Sequence, residues 1–396
     1  MDIAPRTKRI LMIAPEPFFE PRGTPFSVLW RLKALSQIGC QVDLLTYPVG
    51  QNVTIDNVKI FRPWPIPFIK EVPIGPSWQK CLLDVLLIVE AAWLLLKTRY
   101  DILHTHEEAS IFGIVLAKLF HVRHLYDMHS SLPQQLMNFQ WTHSRLLVRI
   151  FEWLERKVIN SSDAVITICP ALEDHVRTIN PNVLGVMIEN FASDDSAEGF
   201  TDSEVENLRA LYTHHAQKIV LYTGTFEPYQ GLSLLLASAA QVIRQCPEIA
   251  FLLVGGKPEQ VQHYQQLINR IGLSAYFHFT GTRPPEEIPK FVKIATVLVS
   301  PRVDGTNTPL KIYQYLRSGK PIVATNIPAH TQVLNGDIAV LADPNPDAFT
   351  RAIVTAINNV TLSAKLTEQA QQMVHSRYTF QSFVQKTAQV VQLAVK

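Results

Sequence analysis

The chain has 396 residues, of which 36 are lysine or arginine and 34 are aspartate or glutamate, giving a formal net charge of +2. This length predicts two or three domains, with two favoured, and so small a charge gives no indication of a nucleic-acid partner. Its four cysteines are scattered without a Cys-x-x-Cys pair; this argues against a cysteine zinc site or a disulfide framework and fits a reducing, cytoplasmic location.

The first half of the chain alternates short apolar runs with amphipathic segments. Its N-terminus leads into a strand and lacks the apolar core of a signal peptide. The predicted strands are 9–14, 42–46, 58–61, 100–106, 122–127 and 163–168, and the predicted helices are 26–38, 81–96, 108–119 and 145–159. Alternation of this length indicates βαβ units with right-handed crossovers in a parallel sheet.

The segment 81–96 is apolar enough to need a membrane test. Asp84 and Glu90 interrupt it, and it is shorter than the roughly 20 apolar residues that a span requires. We expect a largely buried helix, with an interfacial helix as the alternative. The preceding loop, 61–70, combines prolines, aromatic residues and cations, which suits a lipid headgroup region and equally suits an irregular packed loop.

A second strand–helix series follows a polar, acidic segment at 192–199, which is typical of a linker. Its predicted strands are 219–223, 251–256, 276–280, 296–300 and 321–324, and its predicted helices are 231–245, 258–271, 286–293, 310–317, 345–358, 361–376 and 379–394. Two α/β halves joined in this way predict a ligand cleft between the carboxyl ends of the two sheets.

The most informative stretch is 301–325. A polar loop with Asp304 and Gly305 leads into Pro309, a helix follows, and the helix ends before Gly319. A loop that opens a helix offers free backbone N–H groups and the positive end of the helix dipole, which suit a phosphate. Lys311 lies in that first turn, where a cation is unfavourable for the helix alone, so we expect it to have an anionic partner.

This stretch resembles the donor-binding signature of family-4 retaining glycosyltransferases with the GT-B fold, also called glycosyl transferases group 1. Asp304 lies near the first acidic residue of that signature, Gln314 replaces the second, and residues 319–324 match its Gly-Lys-Pro-Val-Val-Ala end. The resemblance extends over essentially the whole chain. It implies an α/β GT-B fold of two facing Rossmann-like domains with a cleft between them. The implied domains are an acceptor domain at 1–193, on which the C-terminal helix 379–396 packs back, and a nucleotide-sugar donor domain at 200–378.

The same resemblance implies a hexosyltransferase that moves a sugar from a UDP- or GDP-sugar to a saccharide or lipid-linked acceptor. It would need no cofactor and no metal, and would be cytoplasmic, with peripheral contact to the inner face of the membrane as an option. The leaving diphosphate carries much of the developing charge, so cations and helix N-termini should supply most of the catalysis. Two alternatives stay open: an epimerase-like enzyme acting on nucleotide sugars, and a non-catalytic GT-B partner subunit.

The resemblance also implies which residues act. Thr225 and Gln230 stand where the family has the Arg and Lys that neutralise the diphosphate, so we expect Lys311 and Arg302 to replace them. Asp304 would bind the sugar and Gln314 the ribose. The predicted catalytic residues are His129, Asp304 and Lys311. The predicted donor-binding residues are Arg22, Gly23, Gly224, Thr225, Arg283, Arg302, Thr308, Pro309, Leu310 and Gln314, and those on the acceptor side are His106 and Glu107.

Polar residues end two neighbouring predicted strands of the first half. His104, His106, Glu107 and Glu108 end one strand, and His129 follows the next. Functional residues gather at such strand ends, and in the resembling family a histidine at the second position contacts the donor sugar. The spacing alone also permits a zinc site formed from these three histidines, which nothing else in the sequence supports.

Overall fold

The computed structural model describes residues 7–20, 23–69, 71–73, 77–133, 144–191, 200–213 and 218–395. The chain divides into two compact units, each with its own sheet. The first unit comprises Met1–Asn190 together with Gln381–Lys396, and the second comprises Phe191–Phe380. The last helix is therefore assigned to the first unit, although the strand–helix series of the second unit immediately precedes it.

The described part of the first unit contains a seven-stranded parallel sheet in the order β3-β2-β1-β4-β5-β6-β7. Its strands are β1 (Arg9–Ala14), β2 (Gln41–Thr46), β3 (Val58–Phe61), β4 (Ile102–His106), β5 (Arg123–Met128), β6 (Ala164–Thr167) and β7 (Gly185–Met187). Its helices are α1 (Gly23–Gln37), α2 (Trp78–Lys97), α3 (Ala109–Phe120), α4 (Arg145–Ser161), α5 (Pro170–Ile179) and the C-terminal α14 (Phe380–Ala394).

Both faces of this sheet are covered, which explains why its strands are almost continuously apolar. Five consecutive residues of β1 are buried, and every residue of β4 is buried. Strands of a parallel sheet are apolar on both faces because helices pack on both sides of the sheet. α2 packs against α3, and α3 packs against α4, so these crossover helices form one layer over the sheet.

The described part of the second unit contains a six-stranded parallel sheet in the order β10-β9-β8-β11-β12-β13. Its strands are β8 (Lys218–Thr223), β9 (Ile249–Val254), β10 (Phe277–Gly281), β11 (Val297–Ser300), β12 (Ile322–Thr325) and β13 (Val340–Ala342). Its helices are α6 (Asp202–Tyr212), α7 (Leu232–Gln245), α8 (Pro258–Arg270), α9 (Ile288–Ile294), α10 (Leu310–Arg317), α11 (Pro328–Thr331), α12 (Pro346–Asn358) and α13 (Val360–Arg377).

The sequence prediction misses several short or polar elements. β7 and β13 have only three residues each, too few to show a period, and they are stabilised by pairing with a neighbouring strand. α6 follows the polar linker and buries none of its residues. Its beginning is nevertheless fixed locally, because the Thr201 hydroxyl and the Glu204 carboxylate form a reciprocal capping box.

The prediction of a largely buried helix at 81–96 is wrong for one face of α2. The helix buries Leu83, Leu87, Ala91 and two further leucines, but its opposite side is both exposed and apolar. The reason is that the helices on this side of the sheet form a single layer, so one side of α2 contacts the sheet and no helix of the described part of the chain packs on the opposite side. Among the described residues, no helix has the length and apolar character needed to cross a bilayer.

Candidate functional site

In the first unit, the carboxyl ends of β4 and β5 bring together a buried group of charged and imidazole side chains. Asp127 lies at its centre, and we call the group the Asp127 cluster. Its members are Arg31, His104, His106, Asp127 and His129, all of which are buried. Adjacent parallel strands end at the same edge of the sheet, so β4 supplies His104 and His106 while β5 supplies the carboxylate.

Asp127 is bound from several sides. Arg31 Nε donates to Asp127 Oδ2 at 3.0 Å, His104 Nε2 lies 3.3 Å from the same oxygen, and His129 Nε2 lies 3.1 Å from Oδ1. Arg31 also donates to the Thr387 hydroxyl on α14 at 2.9 Å. The ion pair thus connects α1, the end of β5 and the C-terminal helix within one unit.

Charge in the Asp127 cluster is unevenly distributed. Burial disfavours the ionised carboxylate, but Arg31 and then His129 hold the pKa of Asp127 well below its usual range. Burial likewise disfavours a charged imidazole, yet the Asp127 carboxylate raises the pKa of His129 above its ordinary value. Burial lowers the pKa values of His104 and His106, so His129 is the imidazole of the cluster most favoured to carry a proton.

Three members of the cluster lie close enough together to share a metal ion. His104, His106 and Asp127 offer ligand atoms that all lie within 4.8 Å of one another. Arg31 Nε, however, lies 3.0 Å from Asp127 Oδ2, and a permanent guanidinium charge in that place opposes a divalent cation. The arrangement fits an ion-pair network better than the zinc site that the spacing permits. His129, the third histidine of that alternative, is not one of the three residues whose ligand atoms come together.

The acceptor-side residues predicted from the sequence lie next to the cluster. His106 Nδ1 is 3.3 Å from His129 Nε2, while His106 Nε2 is buried and has no hydrogen-bond partner among the described residues. Glu107 accepts a hydrogen bond from the Ser130 hydroxyl at 2.9 Å, and burial raises its pKa to about 7, against an opposing effect of His129. The end of β4 therefore offers a carboxyl group whose pKa is about 7, and the residue after β5 offers an imidazole whose pKa Asp127 raises.

In the second unit, the loop after β11 leads into α10 as the sequence predicts. Pro309 is the N-cap residue, with φ −63° and ψ 136°, and no side chain caps the helix. The first backbone N–H groups of α10 consequently have no intrahelical acceptor. The Thr308 hydroxyl beside them is buried and has no partner among the described residues. Leu310 begins the helix, so this helix end offers several donors to an anion.

Lys311 projects from that first turn toward the C-terminal end of β8 and the loop that follows this strand. Its Nζ donates to Gln230 Oε1 at 3.4 Å and lies 3.9 Å from the centre of the Tyr222 ring. Burial, followed by the neighbouring Arg302, lowers the pKa of Lys311 well below its ordinary value. Among the described residues, Lys311 forms no ion pair with a carboxylate, and the charge that acts on it is the like charge of Arg302. An anion at this point would therefore be stabilised.

Gly224 has no Cβ at the place where the Lys311 ammonium group packs against the backbone. Its φ is +135°, and a Cβ at this position would lie 3.0 Å from Lys311 Nζ. Thr225, which follows, contributes its carbonyl oxygen to the Tyr222 hydroxyl at 2.7 Å. That hydrogen bond fixes the ring over which the ammonium group lies.

Arg302 and Asp304 are engaged mainly with their own loop. Arg302 donates through Nε to the Asp304 carbonyl at 2.6 Å and through Nη1 to the Asn307 carbonyl at 3.0 Å. The Asp304 carboxylate accepts from the Gly305 N–H at 2.6 Å and is exposed. Arg302 therefore stabilises the loop's shape in this structure, while Asp304 is available at its surface.

His330 contacts residues at the ends of β11 and β12, next to the loop that follows β11. Its Nδ1 lies 2.9 Å from the Thr325 carbonyl and its Nε2 lies 2.8 Å from the Ser300 hydroxyl, and the Thr325 hydroxyl donates to the Arg302 carbonyl. A proton on Nδ1 satisfies both of these ring contacts, which assigns the neutral tautomer. Burial lowers the pKa of His330 to about 4, consistent with an uncharged ring.

The remaining predicted donor residues occupy less constrained positions. Gln314 is exposed on α10, and Arg283 faces Glu287 at 4.0 Å in a partly exposed pair. Gly23 begins α1, and a Cβ at this position would meet nothing within 4 Å. Arg22 lies outside the described residues.

Sequence reasoning missed Arg31, Tyr222 and His330, and did not select Asp127. Arg31 could have been found, because it lies on the buried face of α1 among Val28 and Leu32, and a charged residue on an apolar stripe requires a partner. Tyr222 and His330 gave no such signal, since a buried tyrosine in a strand and a lone histidine after a proline are ordinary.

Both units of the chain match models of protein families. The model of the family described as "Glycosyl transferase 4-like domain" matches residues 23–190, and that of "Glycosyl transferases group 1" matches residues 217–359. A phosphatidyl-myo-inositol mannosyltransferase of Mycolicibacterium smegmatis is 22% identical over 377 residues, covering 93% of this chain and 89% of the relative.

Two solved structures are similar over nearly their whole length. Sucrose-phosphate synthase from Thermosynechococcus elongatus aligns with a TM-score of 0.79 at 17% identity, covering 97% of this chain and 98% of that one. Anabaena HepE in complex with UDP-glucose aligns with a TM-score of 0.73 at 17% identity, covering 97% and 99%. With the family matches over most of both units, the chain belongs to the group 1 glycosyltransferases of the GT-B fold.

Proposed function

We propose that this glycosyltransferase uses a nucleotide-diphosphate sugar and transfers the sugar with retention of its anomeric configuration. The observation that carries the proposal is Lys311, a desolvated cation at the uncapped N-terminus of α10, beside the buried hydroxyl of Thr308. Ammonium group, hydroxyl and backbone N–H groups together supply what a diphosphate requires: positive charge and several hydrogen-bond donors.

In this proposal the bond between the anomeric carbon and the β-phosphate oxygen breaks, and the acceptor oxygen forms its bond on the same face of the sugar. Negative charge develops on the departing diphosphate, where Lys311 and the end of α10 stabilise it more strongly than in the ground state. The departing oxygen takes the acceptor's proton, so no protein base is required. Asp304 binds the sugar hydroxyls, and Gln314 accepts from the ribose.

The residues of the first unit have complementary roles. His129, whose proton the Asp127 carboxylate favours, donates a hydrogen bond to the donor sugar. His106 and Glu107 orient the acceptor hydroxyl. The donor is proposed to carry either uracil or guanine as its base, and the assay must distinguish the two.

The acceptor is proposed to be a saccharide or a lipid-linked molecule, and the enzyme to contact a membrane peripherally. The relative from Mycolicibacterium smegmatis, by its name, glycosylates a phosphatidylinositol. Within this chain, Trp64 and Phe68 have exposed fractions of 87% and 69%, in the proline-rich loop that the sequence indicated. Lys70, which was part of that hypothesis, lies outside the described residues. Vesicle binding should weaken in Trp64→Ser and Phe68→Ser variants.

The proposal is tested by incubating the full chain with radiolabelled UDP- and GDP-sugars and following release and transfer of the sugar. Slow hydrolysis of one donor, with the initial product retaining the anomeric configuration in NMR spectra, supports it. An inverted product would refute the retaining mechanism. Isomerisation of the intact donor would favour an epimerase-like enzyme, and failure to bind any nucleotide would refute the assignment of Lys311.

A further inference from the structure

The outer face of α2 is apolar although it is exposed. Along the helix, large apolar side chains recur every three or four residues on the side away from the sheet. These residues are Trp78, Leu82, Val85, Val89, Trp93 and Leu96. The stripe runs the length of the helix, and its first residue stacks on Phe68 of the preceding loop, with 6.4 Å between the ring centres.

The neighbouring helices of the same layer continue this surface. On α3, Val115 and Leu119 have exposed fractions of 62% and 67%, and on α4, Leu146, Ile150 and Trp153 are exposed. α2 packs on α3 and α3 packs on α4, so these side chains belong to adjacent helices. Single exposed apolar residues are ordinary, but a set shared by three packed helices indicates an interaction surface.

Charge on the three helices is strongly one-sided. The structure describes every residue of α2, α3 and α4, and Glu152 is the one exposed carboxylate among them. Their exposed cations are Lys97, Lys118, Arg145, Arg149, Arg156 and Lys157. This excess is carried by a chain whose net charge is only +2, so the positive charge is concentrated on this layer.

The cations also lie beside the aromatic residues of the surface. Lys97 Nζ is 4.6 Å from the centre of the Trp93 ring, and Lys157 Nζ is 6.0 Å from that of Trp153. Aromatic rings flanked by lysine or arginine suit the boundary between lipid headgroups and acyl chains, because one end of the pair is apolar and the other is charged.

We propose that the outer face of α2, α3 and α4, called the helical face below, docks on a bilayer surface that carries anionic lipids. The proposal rests on the peripheral contact proposed above and names the surface that makes it. The apolar side chains enter the headgroup region, and the surrounding cations bind the lipid phosphates.

A second copy of the chain fits this face less well than a bilayer does. In a two-fold dimer the same patch would face itself, and cations such as Arg145 and Arg149 would oppose other cations with little carboxylate to offset them. An anionic bilayer complements the apolar residues and the positive charge together.

Docking in this way would serve a lipid-linked acceptor. Lys80, near the start of α2, forms an ion pair of 3.2 Å with Glu108, which follows the end of β4. The helical face therefore begins at the edge of the sheet where His106 and Glu107 lie. A lipid whose headgroup leaves the bilayer at that end of α2 has a short path to the acceptor-side residues.

The test uses flotation of the full chain with vesicles of phosphatidylcholine, with or without phosphatidylglycerol. Binding is expected for the anionic vesicles alone and should weaken as salt is raised, because screening shortens the reach of surface charge. In the variant Arg145→Gln/Arg149→Gln, binding should weaken about fivefold for each cation removed. In Val89→Ser/Leu96→Ser it should weaken about tenfold.

Matched controls lie in the second unit. Leu211 and Val360 have exposed fractions of 73% and 74%, so Leu211→Ser/Val360→Ser removes equally exposed apolar groups elsewhere. Arg351→Gln/Lys365→Gln removes two exposed cations in the same way. Both controls should float like the wild type. Equal losses in the controls and in the helical-face variants would overturn the assignment of the surface.

Two further measurements keep this proposal separate from the proposed function. UDP binding and donor hydrolysis should be unchanged in all of these variants, so a chain that hydrolyses donor but never floats refutes the docking surface alone. The chain should not self-associate through this face, so light scattering should give the same molecular mass for the wild type and for Val89→Ser/Leu96→Ser. A dimer lost in that variant would instead assign the helical face to a second copy and overturn the proposal.

Discussion

Replacing Lys311 with methionine should weaken diphosphate binding while making the free protein more stable. The substitution keeps an unbranched side chain of similar length in the space between Tyr222 and Gln230 and removes the charge. In the folded chain this charge is desolvated and lies near Arg302, which together lower its pKa well below 10.5. Its partners there are an amide oxygen at 3.4 Å and an aromatic ring.

The effect on binding follows from the contacts that the ammonium group would make. A hydrogen bond to a charged group contributes about 1.5–3 kcal/mol, so losing one predicts UDP binding weaker by roughly tenfold to 150-fold. Isothermal titration of UDP into the two proteins measures this ratio. Lys320→Met is the matched control, since burial and then Arg209 also lower the pKa of Lys320, and this residue has no proposed contact with the donor.

The effect on stability has a defined sign. Because the pKa of Lys311 is lower in the folded chain than in the unfolded chain, the unfolded chain binds more protons between the two values. The free energy of unfolding of the wild type therefore rises as pH increases through that window. Lys311→Met should remove this rise and unfold at a higher temperature near neutral pH. UDP binding by the wild type should weaken as pH rises through the folded pKa, as the ammonium loses its proton.

The reasoning would be refuted by a Lys311→Met protein that binds UDP within about twofold of the wild type. It would also be refuted if the variant lost stability at neutral pH, because the lysine charge would then be compensated by the folded chain. Lys311→Arg is expected to recover part of the affinity but not all, since a planar guanidinium does not fit the space that Gly224 leaves for a compact ammonium.

Three further predictions concern the residues that support these sites. Gly224→Ala should weaken UDP binding in titration and lower the melting temperature measured by circular dichroism, because its φ of +135° strains a residue with a Cβ and that Cβ would lie 3.0 Å from Lys311 Nζ; unchanged affinity would count against the packing described. Asp127→Asn should lower the free energy of unfolding by about 3–5 kcal/mol in urea, since it leaves the Arg31 guanidinium buried without its carboxylate; a loss below about 1 kcal/mol would mean that the pair is solvated. The folded pKa of His330 is about 4, below its ordinary 6.5, so the free energy of unfolding that it contributes is lost as pH falls between these two values. His330→Gln should therefore reduce the increase in the free energy of unfolding from pH 4 to pH 6.5, by about 3 kcal/mol at most.

The sequence alone was sufficient for the α/β class, the two halves and the family. Apolar runs such as 9–14 and 219–223 require coverage on both faces, and helices of regular length between them leave few topologies. The Gly-Lys-Pro end of the 301–325 stretch carried the family resemblance, which the matches at 23–190 and 217–359 confirm. Lys311 was identified from its unfavourable place in a helix's first turn, and the structure explains that place by an uncapped helix end.

The tertiary structure decided which polar residues depend on one another. Arg31 and Asp127 are 96 positions apart in sequence, and Thr387 is still more distant, so no local pattern could pair them. The same holds for Tyr222 and Lys311, whose contact requires β8 and α10 to be packed. The character of α2 was also beyond the sequence, since an apolar segment does not reveal how many of its sides meet other helices. Local sequence fixes periodicity and termini through nearest neighbours, whereas burial and charge compensation depend on contacts that exist only once the sheets have formed.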